Sequence, residues 1–365
     1  MQGEQEGEAS MSGLKTYSGI STKIRAKQKK MFHQGTYDRL TASKSVQEVL
    51  RILNESEGYH NLFAGKDLNS LHRGAIEQIL KECYYRDYIS LYKFSDEKQR
   101  VFLKMYFRKL ELSFLKACLR NLLNKDKEYE KLTISEDVGR LFLKYSKLDM
   151  ELLIKASTID NLIDALKGTE YYRSLKTVHE QGGNSLFEYE VSMDLYYFTR
   201  LWKMINQQFS GLDLEILIRS YGYKIDILNM QWIYRCKKYY KVTTADICAM
   251  VIPINYKLHK EELTNLIESA NIEEFDRIMK STAYGKLYPD ISGDNLEEIY
   301  IYLLDKINDT DSDRYPYSIA IINTYLYKKE YEVNKITTIL ECIRYGIKYD
   351  KILQYSGLKG GAVRD

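Results

Sequence analysis

The sequence predicts an all-α protein, and three observations support that prediction. Of the 365 residues, 44% are hydrophobic and 29% are charged, a composition with ample apolar surface for a packed core. Only three prolines are present, and none precedes Pro253. All-β sandwiches and barrels show denser proline and glycine punctuation at their turns. Amphipathic stripes with helical spacing recur along the chain, which favours long helices joined by short polar loops.

One short helical pattern occurs three times at a constant interval. Each copy begins with a residue that commonly caps a helix N-terminus, namely Ser45, Thr158 or Asn271. Apolar residues follow one, four and eight positions later, which marks one face of an amphipathic helix. Glu48 and Glu274 stand three positions after their caps, where a glutamate completes a capping box. An aromatic residue follows each copy: Tyr59, Tyr172 and Tyr284.

A second pattern follows the first in each copy and places an acid within a helix. It reads tyrosine, four residues, an acid, three residues, an apolar residue, two residues and another apolar residue. The three acids are Glu111, Asp226 and Glu332. The two apolar positions lie on the same helical face as the acid. Because the acids recur in register, we expect each to have the same role, either an ion pair or turn-capping contact, or membership of a ring of like groups around a central axis.

Two patterns that recur in the same order predict an internal triplication. We place the repeats at residues 17–130, 131–243 and 244–350. Residues 1–16 are predicted to form a flexible tail, and residues 351–365 a C-terminal tail. The interval is longer than the roughly 33–47 residues of the helical repeats that stack into solenoids. Each repeat is therefore expected to form a helical domain with its own core.

Charge and hydropathy exclude several classes of function. The 54 basic residues nearly balance the 51 acidic ones, and the net charge of +3 is too small for a dedicated nucleic-acid binder. A basic run over residues 23–30 predicts either a local contact with an anion or the solvated face of a first helix. Residues 1–12 lack the apolar core of a secretory signal. The longest apolar run, Ile247–Ile254, is far shorter than the roughly 20 residues of a transmembrane helix.

Catalytic chemistry is not expected from the sequence. The five cysteines are widely spaced and include no CxxC pair, so we predict buried, reduced thiols rather than a zinc or redox site. The glycine cluster near the C-terminus lacks the strand–loop–helix context of a phosphate loop. The histidines are isolated from one another in the sequence. We therefore predict no catalytic residue, no metal site and no cofactor.

Three segments carry a resemblance to a known family. They are Tyr17-x5-Lys23-Ile24-Arg25, the stretch from Lys224 to Arg235 with its Asp-x-x-Asn spacing, and the stretch from Lys329 to Ile343 with its Lys-Glu-x-Glu and Glu-Cys-Ile sequences. In these segments the chain resembles the central-axis component of V-type and archaeal-type ATPases, called the C subunit in prokaryotes and the d subunit in eukaryotes. The family has arginine where this chain has Lys23, and asparagine where it has Lys335. The resemblance extends over about residues 17–350.

The resemblance implies a mechanical function. It implies three similar helical domains arranged as a funnel with pseudo-threefold symmetry. Such a funnel sits on the cytoplasmic face of the membrane proteolipid ring and receives the central stalk of the ATP-hydrolysing head, so that rotation is coupled to transport of H⁺ or Na⁺. The partners are then the central-stalk subunits and the proteolipid ring, with no nucleic acid. Seven residues are predicted at the stalk or ring contacts: Lys23, Arg25, Glu111, Arg120, Asp226, Arg235 and Glu332.

Two other hypotheses remain open on the sequence alone. The same repeats are typical of a general helical scaffold that binds other cytoplasmic proteins. A gene standing apart from those of ATPase subunits would favour this scaffold. A helical enzyme of unknown type ranks third, and tight binding of a nucleotide or metal would favour it.

Overall fold

The computed structural model describes residues 2–123, 136–183, 185–240 and 242–358. Every regular element in these ranges is helical, which confirms the predicted all-α fold. The contacts divide the chain into two compact units. Unit 1 comprises Met1–Arg100, Glu130–Leu141 and Ser312–Asp365, and unit 2 comprises Val101–Tyr129 and Phe142–Asp311. The division into three repeats stays a prediction.

In the described ranges, runs of short helices separate the long helices, which from α5 onward come in consecutive pairs. They are α1 (Gln2–Gln28), α2 (Gln34–Thr41), α3 (Val46–Glu55), α4 (His60–Phe63), α5 (Arg73–Phe94), α6 (Glu97–Leu123), α7 (Glu136–Tyr145), α8 (Met150–Lys155), α9 (Ile159–Ala165), α10 (Tyr172–Glu180), α11 (Leu186–Gln208), α12 (Gly211–Arg235), α13 (Thr244–Met250), α14 (Lys260–Glu268), α15 (Ile272–Ser281), α16 (Ala283–Leu287), α17 (Leu296–Arg314), α18 (Ile319–Arg344) and α19 (Tyr349–Tyr355). A π-helical turn, Cys236–Tyr240, follows α12, and a 3₁₀ turn, Gly293–Asn295, precedes α17.

The three predicted N-caps are confirmed. Ser45, Thr158 and Asn271 precede α3, α9 and α15, and each side-chain oxygen accepts the backbone N–H three residues later, at 3.2, 3.1 and 2.8 Å. A cap of this kind stabilises its helix because it satisfies an N–H that has no partner within the first turn. The apolar positions four and eight residues after each cap are fully buried, so the three short helices turn the same face to their cores.

The predicted capping boxes differ from the structure by one residue. The Glu48 carboxylate accepts the backbone N–H of Lys44 at 2.7 Å, and Glu274 accepts that of Ala270 at the same distance. In both cases the donor is the residue before the cap, whereas a capping box uses the cap itself. The two glutamates therefore fix the chain as it enters each helix.

Unit 1 brings the beginning and the end of the chain into one core. The long helices α1, α5 and α18 pack together, and the short helices α2 and α3 lie against α18. The core residues belong to α2–α5, the α3–α4 connection, α18 and α19: Tyr37, Leu40, Val49, Leu50, Ile52, Leu53, Tyr59, Leu62, Phe63, Ile76, Ile79, Leu80, Cys83, Val333, Ile336, Ile339, Leu340, Cys342 and Ile352. Burial of aliphatic side chains of this size stabilises a fold by about 1.5–3 kcal/mol each.

Unit 2 is built around the pair of long helices α11 and α12. The short helix α10 packs on α11, α14 packs on α12, and α13 contacts both α11 and α14. One of its cores comes from the second half of α12 and the elements up to α17: Ile227, Met230, Ile233, Tyr234, Cys236, Ile247, Leu258, Leu263, Leu266, Ile267, Phe275, Met279, Tyr284, Ile291, Leu296, Ile299, Leu303 and Ile307. The second half of α12 thus packs on the short helices that follow it.

The N-terminal segment and one cysteine differ from the predictions. Helix α1 begins at Gln2, so most of the predicted flexible tail at residues 1–16 is helical. The predicted boundary between residues 130 and 131 and the last seven residues of the C-terminal tail lie outside the described residues. Four cysteines are buried as predicted, but the prediction was wrong for Cys248, which is exposed on α13 because it faces away from that helix's core contact at Ile247.

Candidate functional site

The three recurring acids are buried inside the fold. Glu111, Asp226 and Glu332 lie near the middle of the long helices α6, α12 and α18, with 5%, 1% and 2% of their surface exposed. A carboxylate in such surroundings is stable only when it accepts hydrogen bonds or faces a cation. Each acid accepts a hydrogen bond from a tyrosine hydroxyl, with an oxygen–oxygen distance of 2.8 Å. We call each such carboxylate and its tyrosine an acid–tyrosine pair.

In the pair of α12, Asp226 organises the turn before α14. Its carboxylate accepts the backbone N–H groups of Tyr256 at 3.1 Å, Lys257 at 2.7 Å and Leu258 at 2.8 Å. It also accepts the hydroxyl hydrogen of Tyr284, which lies on α16. Burial raises the pKa of Asp226 above its ordinary value, while these four hydrogen bonds oppose the shift. One side chain of a long helix therefore binds two separate segments of the short-helix region.

The pair of α6 has the same layout with fewer donors. Glu111 accepts the hydroxyl hydrogens of Ser146 and of Tyr171. The Ser146 hydroxyl oxygen in turn accepts the backbone N–H of Leu148 at 3.0 Å, in the turn before α8. Burial raises the pKa of Glu111, and the two hydroxyl donors partly offset that shift. In the pair of α12, backbone N–H groups of the turn donate directly to the acid. Here Ser146 connects the acid to the turn.

The pair of α18 adds a buried cation. Glu332 accepts the backbone N–H of Phe32 at 2.6 Å and the hydroxyl hydrogen of Tyr59 at 2.8 Å. The Lys329 ammonium, 3% exposed, lies 2.7 Å from the same carboxylate and 4.3 Å from the centre of the Tyr59 ring. Burial alone would lower the pKa of Lys329, but the Glu332 carboxylate raises it above its ordinary value. This pair is therefore an ion pair that also binds the turn before α2.

The acid and the tyrosine of each pair come from different copies of the sequence pattern. Tyr171 lies 60 residues after its acid and Tyr284 lies 58 residues after its acid. Tyr59, by contrast, precedes its acid by 273 residues, because the last long helix binds the first group of short helices. Tyr171 makes the contact in the second copy, and its neighbour Tyr172 begins α10. Tyr171 lies 13 residues after Thr158 and Tyr284 lies 13 residues after Asn271, whereas Tyr59 lies 14 residues after Ser45.

A second side chain of α12 holds the segment that Asp226 binds. The Asn229 amide donates to the carbonyl of Ile252 at 2.9 Å and accepts the N–H of the same residue at 2.8 Å. One turn before Asp226, Gly222 leaves room for the Tyr256 ring, since a Cβ at this position would lie 2.4 Å from that ring. The Asp-x-x-Asn spacing in the sequence thus places two hydrogen-bonding side chains on one face, both directed to the segment between α13 and α14.

The predicted cations of unit 1 lie near the end of α1. Half-buried Lys23 has its ammonium 5.0 Å from the centre of the Phe94 ring. Exposed Arg25 has its guanidinium 6.0 Å from the centre of the Tyr317 ring. An aromatic ring attracts a cation without supplying a counter-charge.

The predicted cations of unit 2 are exposed and paired. Arg120 lies 2.6 Å from Glu190, and Arg235 lies 3.9 Å from Glu297. Exposed ion pairs of this kind contribute little to stability, about 0–1 kcal/mol. In the described ranges, each of these pairings joins one of the seven residues predicted for the stalk or ring contacts to a residue outside the seven.

Comparison with known proteins gives a consistent result over nearly the whole chain. Residues 20–355 match the family model described as ATP synthase (C/AC39) subunit. The chain belongs to the ATP synthase (C/AC39) subunit family. The C subunits of several A-type ATP synthases are similar to it: that of Methanocaldococcus jannaschii is 22% identical over 90% of this chain and 83% of its own length. Those of Methanosarcina acetivorans and Pyrococcus abyssi are 26% and 24% identical over 90% and 93% of this chain, and 89% and 90% of their own lengths.

The match to the ATP synthase (C/AC39) subunit family includes all three acid–tyrosine pairs. Its bounds contain Tyr59 and Glu332, the most distant partners along the chain. No helix in the described ranges carries an apolar stretch long enough to cross a lipid bilayer. The pairs are thus part of the family's folded region, and what they fix is the position of short helices on long ones.

Proposed function

We propose that this chain is a non-catalytic coupling subunit of a rotary ATPase that transports H⁺ or Na⁺. In this proposal it lies on the cytoplasmic face of the membrane, between the central stalk of the ATP-hydrolysing head and the proteolipid ring. The observation that carries the proposal is the family match over residues 20–355. The similar C subunits of A-type ATP synthases, which align over most of their own length, support it.

The acid–tyrosine pairs suit a part that transmits torque. A coupling element must resist deformation, because energy stored in bending is not delivered to the next part. Buried hydrogen bonds in a region of low dielectric are strong, and they hold their partners in one geometry. Each pair adds a buried hydrogen bond between a long helix and a segment of the short helices. We infer that the pairs keep the short helices in register with the long ones under load.

The threefold arrangement is part of the same proposal. Three acids at equivalent positions of long helices, each bonded to one tyrosine, support three equivalent domains around an axis. Glu111 and Asp226 each bind a tyrosine of the next copy of the pattern, and Glu332 of the last copy binds Tyr59 of the first. This closes the series of three pairs. We propose the funnel of pseudo-threefold symmetry on this basis.

The contacts with the stalk and the ring are proposed for side chains that a partner can reach. Arg25, Arg120 and Arg235 are exposed and remain candidates, together with half-buried Lys23. The three acids are enclosed, so we propose that they act on these contacts indirectly, by fixing the surfaces around them.

A binding experiment tests the proposal. The purified chain is added to detergent-solubilised ATPase from which it has been removed, and separately to the isolated central-stalk subunits and to the isolated proteolipid ring. Binding to both isolated parts, with one copy per complex, is the expected result. Binding to neither would refute the coupling function. The double variant Lys66→Glu/Lys81→Glu, which changes two exposed lysines that are not among the predicted contacts, serves as a control for nonspecific charge effects.

A further inference from the structure

The end of α1 and the turn that follows it carry five basic residues, and two of them have carboxylate partners. Lys27 pairs with Asp87, and Lys30 lies 2.8 Å from Glu57. Cations near a helix C-terminus are expected, since they face the negative end of the helix dipole. The paired lysines need no further explanation.

The other three basic residues have no carboxylate partner among the described residues. Lys23 and Arg25 lie over the rings of Phe94 and Tyr317, and Lys29 is exposed. Their charges are therefore available to a binding partner. Two of them, Arg25 in the last turn of α1 and Lys29 in the turn that follows it, are four residues apart, and the Lys29 N–H donates to the Arg25 carbonyl at 3.2 Å, which keeps the helical spacing.

The end of α1 and the turn that follows it form one wall of an open groove of about 410 Å³. The groove is lined by Thr22, Arg25, Ala26, Lys29, Lys30 and Glu57. Its volume is within the range of about 300–1,000 Å³ that is usual for binding sites. Three cations and one carboxylate line it, so the groove has an excess of positive charge. The small side chains of Thr22 and Ala26 lie between the cations and leave the groove open.

We propose that this groove binds an acidic segment of another protein of the ATPase, a segment with carboxylates spaced to meet Arg25 and Lys29. The proposal rests on the proposed function for the identity of the complex. The planar guanidinium of Arg25 can bind a carboxylate through two parallel hydrogen bonds. Because Glu57 is paired with Lys30, the groove offers two separate unpaired cations, Arg25 and Lys29, which suit two single carboxylates better than one phosphate dianion or a densely anionic lipid surface. The lining therefore favours a protein segment.

The test compares two variants that change the net charge equally. Arg25→Glu/Lys29→Glu reverses the two unpaired cations of the groove, and Lys66→Glu/Lys81→Glu reverses two exposed lysines of the same unit that lie outside it. Both are measured as full-length chains, by titration against ATPase from which this chain has been removed. The groove variant should bind at least about tenfold more weakly than the control variant at low salt, and the difference should shrink toward 1 M salt, where the screening length is about 3 Å. Equal affinities of the two variants would overturn the proposal.

A second set of titrations distinguishes the occupants. A synthetic glutamate-rich peptide should bind the wild-type chain and lose affinity in Arg25→Glu/Lys29→Glu alone. Inorganic phosphate and phosphatidylglycerol vesicles should show no such dependence. A groove-dependent affinity for phosphate or vesicles, with none for the peptide, would contradict the choice of a protein segment. If the wild-type chain failed to bind the ATPase, the proposed function would fail, and the peptide titration would still decide the groove.

Discussion

The tyrosine hydroxyls of the acid–tyrosine pairs can be tested one at a time through stability. Tyr284→Phe removes one donor to Asp226 and keeps the ring, so packing is unchanged. Hydrogen bonds to charged groups contribute about 1.5–3 kcal/mol. Asp226 keeps three backbone N–H donors in this variant, so the carboxylate is not left without partners. We therefore expect a loss of about 1.5–3 kcal/mol in the free energy of unfolding, within the usual value for one such bond.

The partner variant separates the pair from its surroundings. Asp226→Ala leaves the hydroxyl of Tyr284 and the N–H groups of Tyr256, Lys257 and Leu258 without this acceptor. A buried group left unpaired in this way, as at Tyr284 and Leu258, costs about 1–3 kcal/mol. In that background Tyr284→Phe removes a group that already lacks its partner, so it should have no effect or be slightly stabilising. The coupling energy from the double-mutant cycle should therefore be close to the cost of Tyr284→Phe alone.

Urea unfolding followed by circular dichroism measures these free energies. Tyr239→Phe is the control, because Tyr239 lies in the same unit with 64% of its surface exposed. Hydrogen exchange should be faster at the amides of Tyr256, Lys257 and Leu258 in Asp226→Ala and unchanged in the control. A cost of Tyr284→Phe no larger than that of Tyr239→Phe would refute the reasoning. Tyr171→Phe should cost more than Tyr284→Phe, since the acid of Tyr171 has only one other donor among the described residues.

Four further predictions follow from the same contacts. Lys329→Met leaves the buried Glu332 carboxylate without its cation and should cost about 3–5 kcal/mol in urea unfolding; a cost below that of an exposed lysine variant would contradict it. Asn229→Ala leaves both backbone groups of Ile252 unpaired and should cost about 2 kcal/mol or more, with faster exchange at the Ile252 amide; unchanged exchange would count against it. Gly222→Ala forces the Tyr256 ring to move and should lower the unfolding free energy by about 1–3 kcal/mol, whereas alanine at exposed Gly35, which has open space around it, should not. The folded-state pKa of Glu111 is raised from 4.5, so its stabilising contribution is fully present below pH 4.5 and is lost as pH rises through the folded-state pKa. Wild type should therefore lose stability relative to Glu111→Gln over that window, and a constant difference would exclude the shift.

Local features were predictable from the sequence because they depend on neighbours along the chain. The caps at Ser45, Thr158 and Asn271 form as their spacing predicts, since a cap and the backbone N–H that donates to it are three residues apart. The burial of the apolar residues after each acid follows from helical periodicity. The in-register recurrence of the acids indicated a shared role, although it did not show which residues they bind.

Contacts between distant parts of the chain were not predictable in the same way. The bond between Tyr59 and Glu332 spans 273 residues, and no local pattern reports it. Lys329 and Glu332 resemble an ordinary surface pair one turn apart, and it is the packing of helices from the first part of the chain on α18 that buries them. Tyr171 was missed because Tyr172 also fits the pattern: it lies 14 residues after Thr158, as Tyr59 lies 14 residues after Ser45. The sequence signal that could have found it is the tyrosine doublet at 171–172.

Reconstitution of ion transport tests the proposed coupling function most directly. ATPase from which this chain has been removed is placed in lipid vesicles, and ATP hydrolysis and ion uptake are measured before and after the purified chain is added. We predict that hydrolysis without the chain drives no uptake, and that adding the wild-type chain restores uptake in proportion to binding. Uptake that is equally fast with and without the chain would contradict a coupling function.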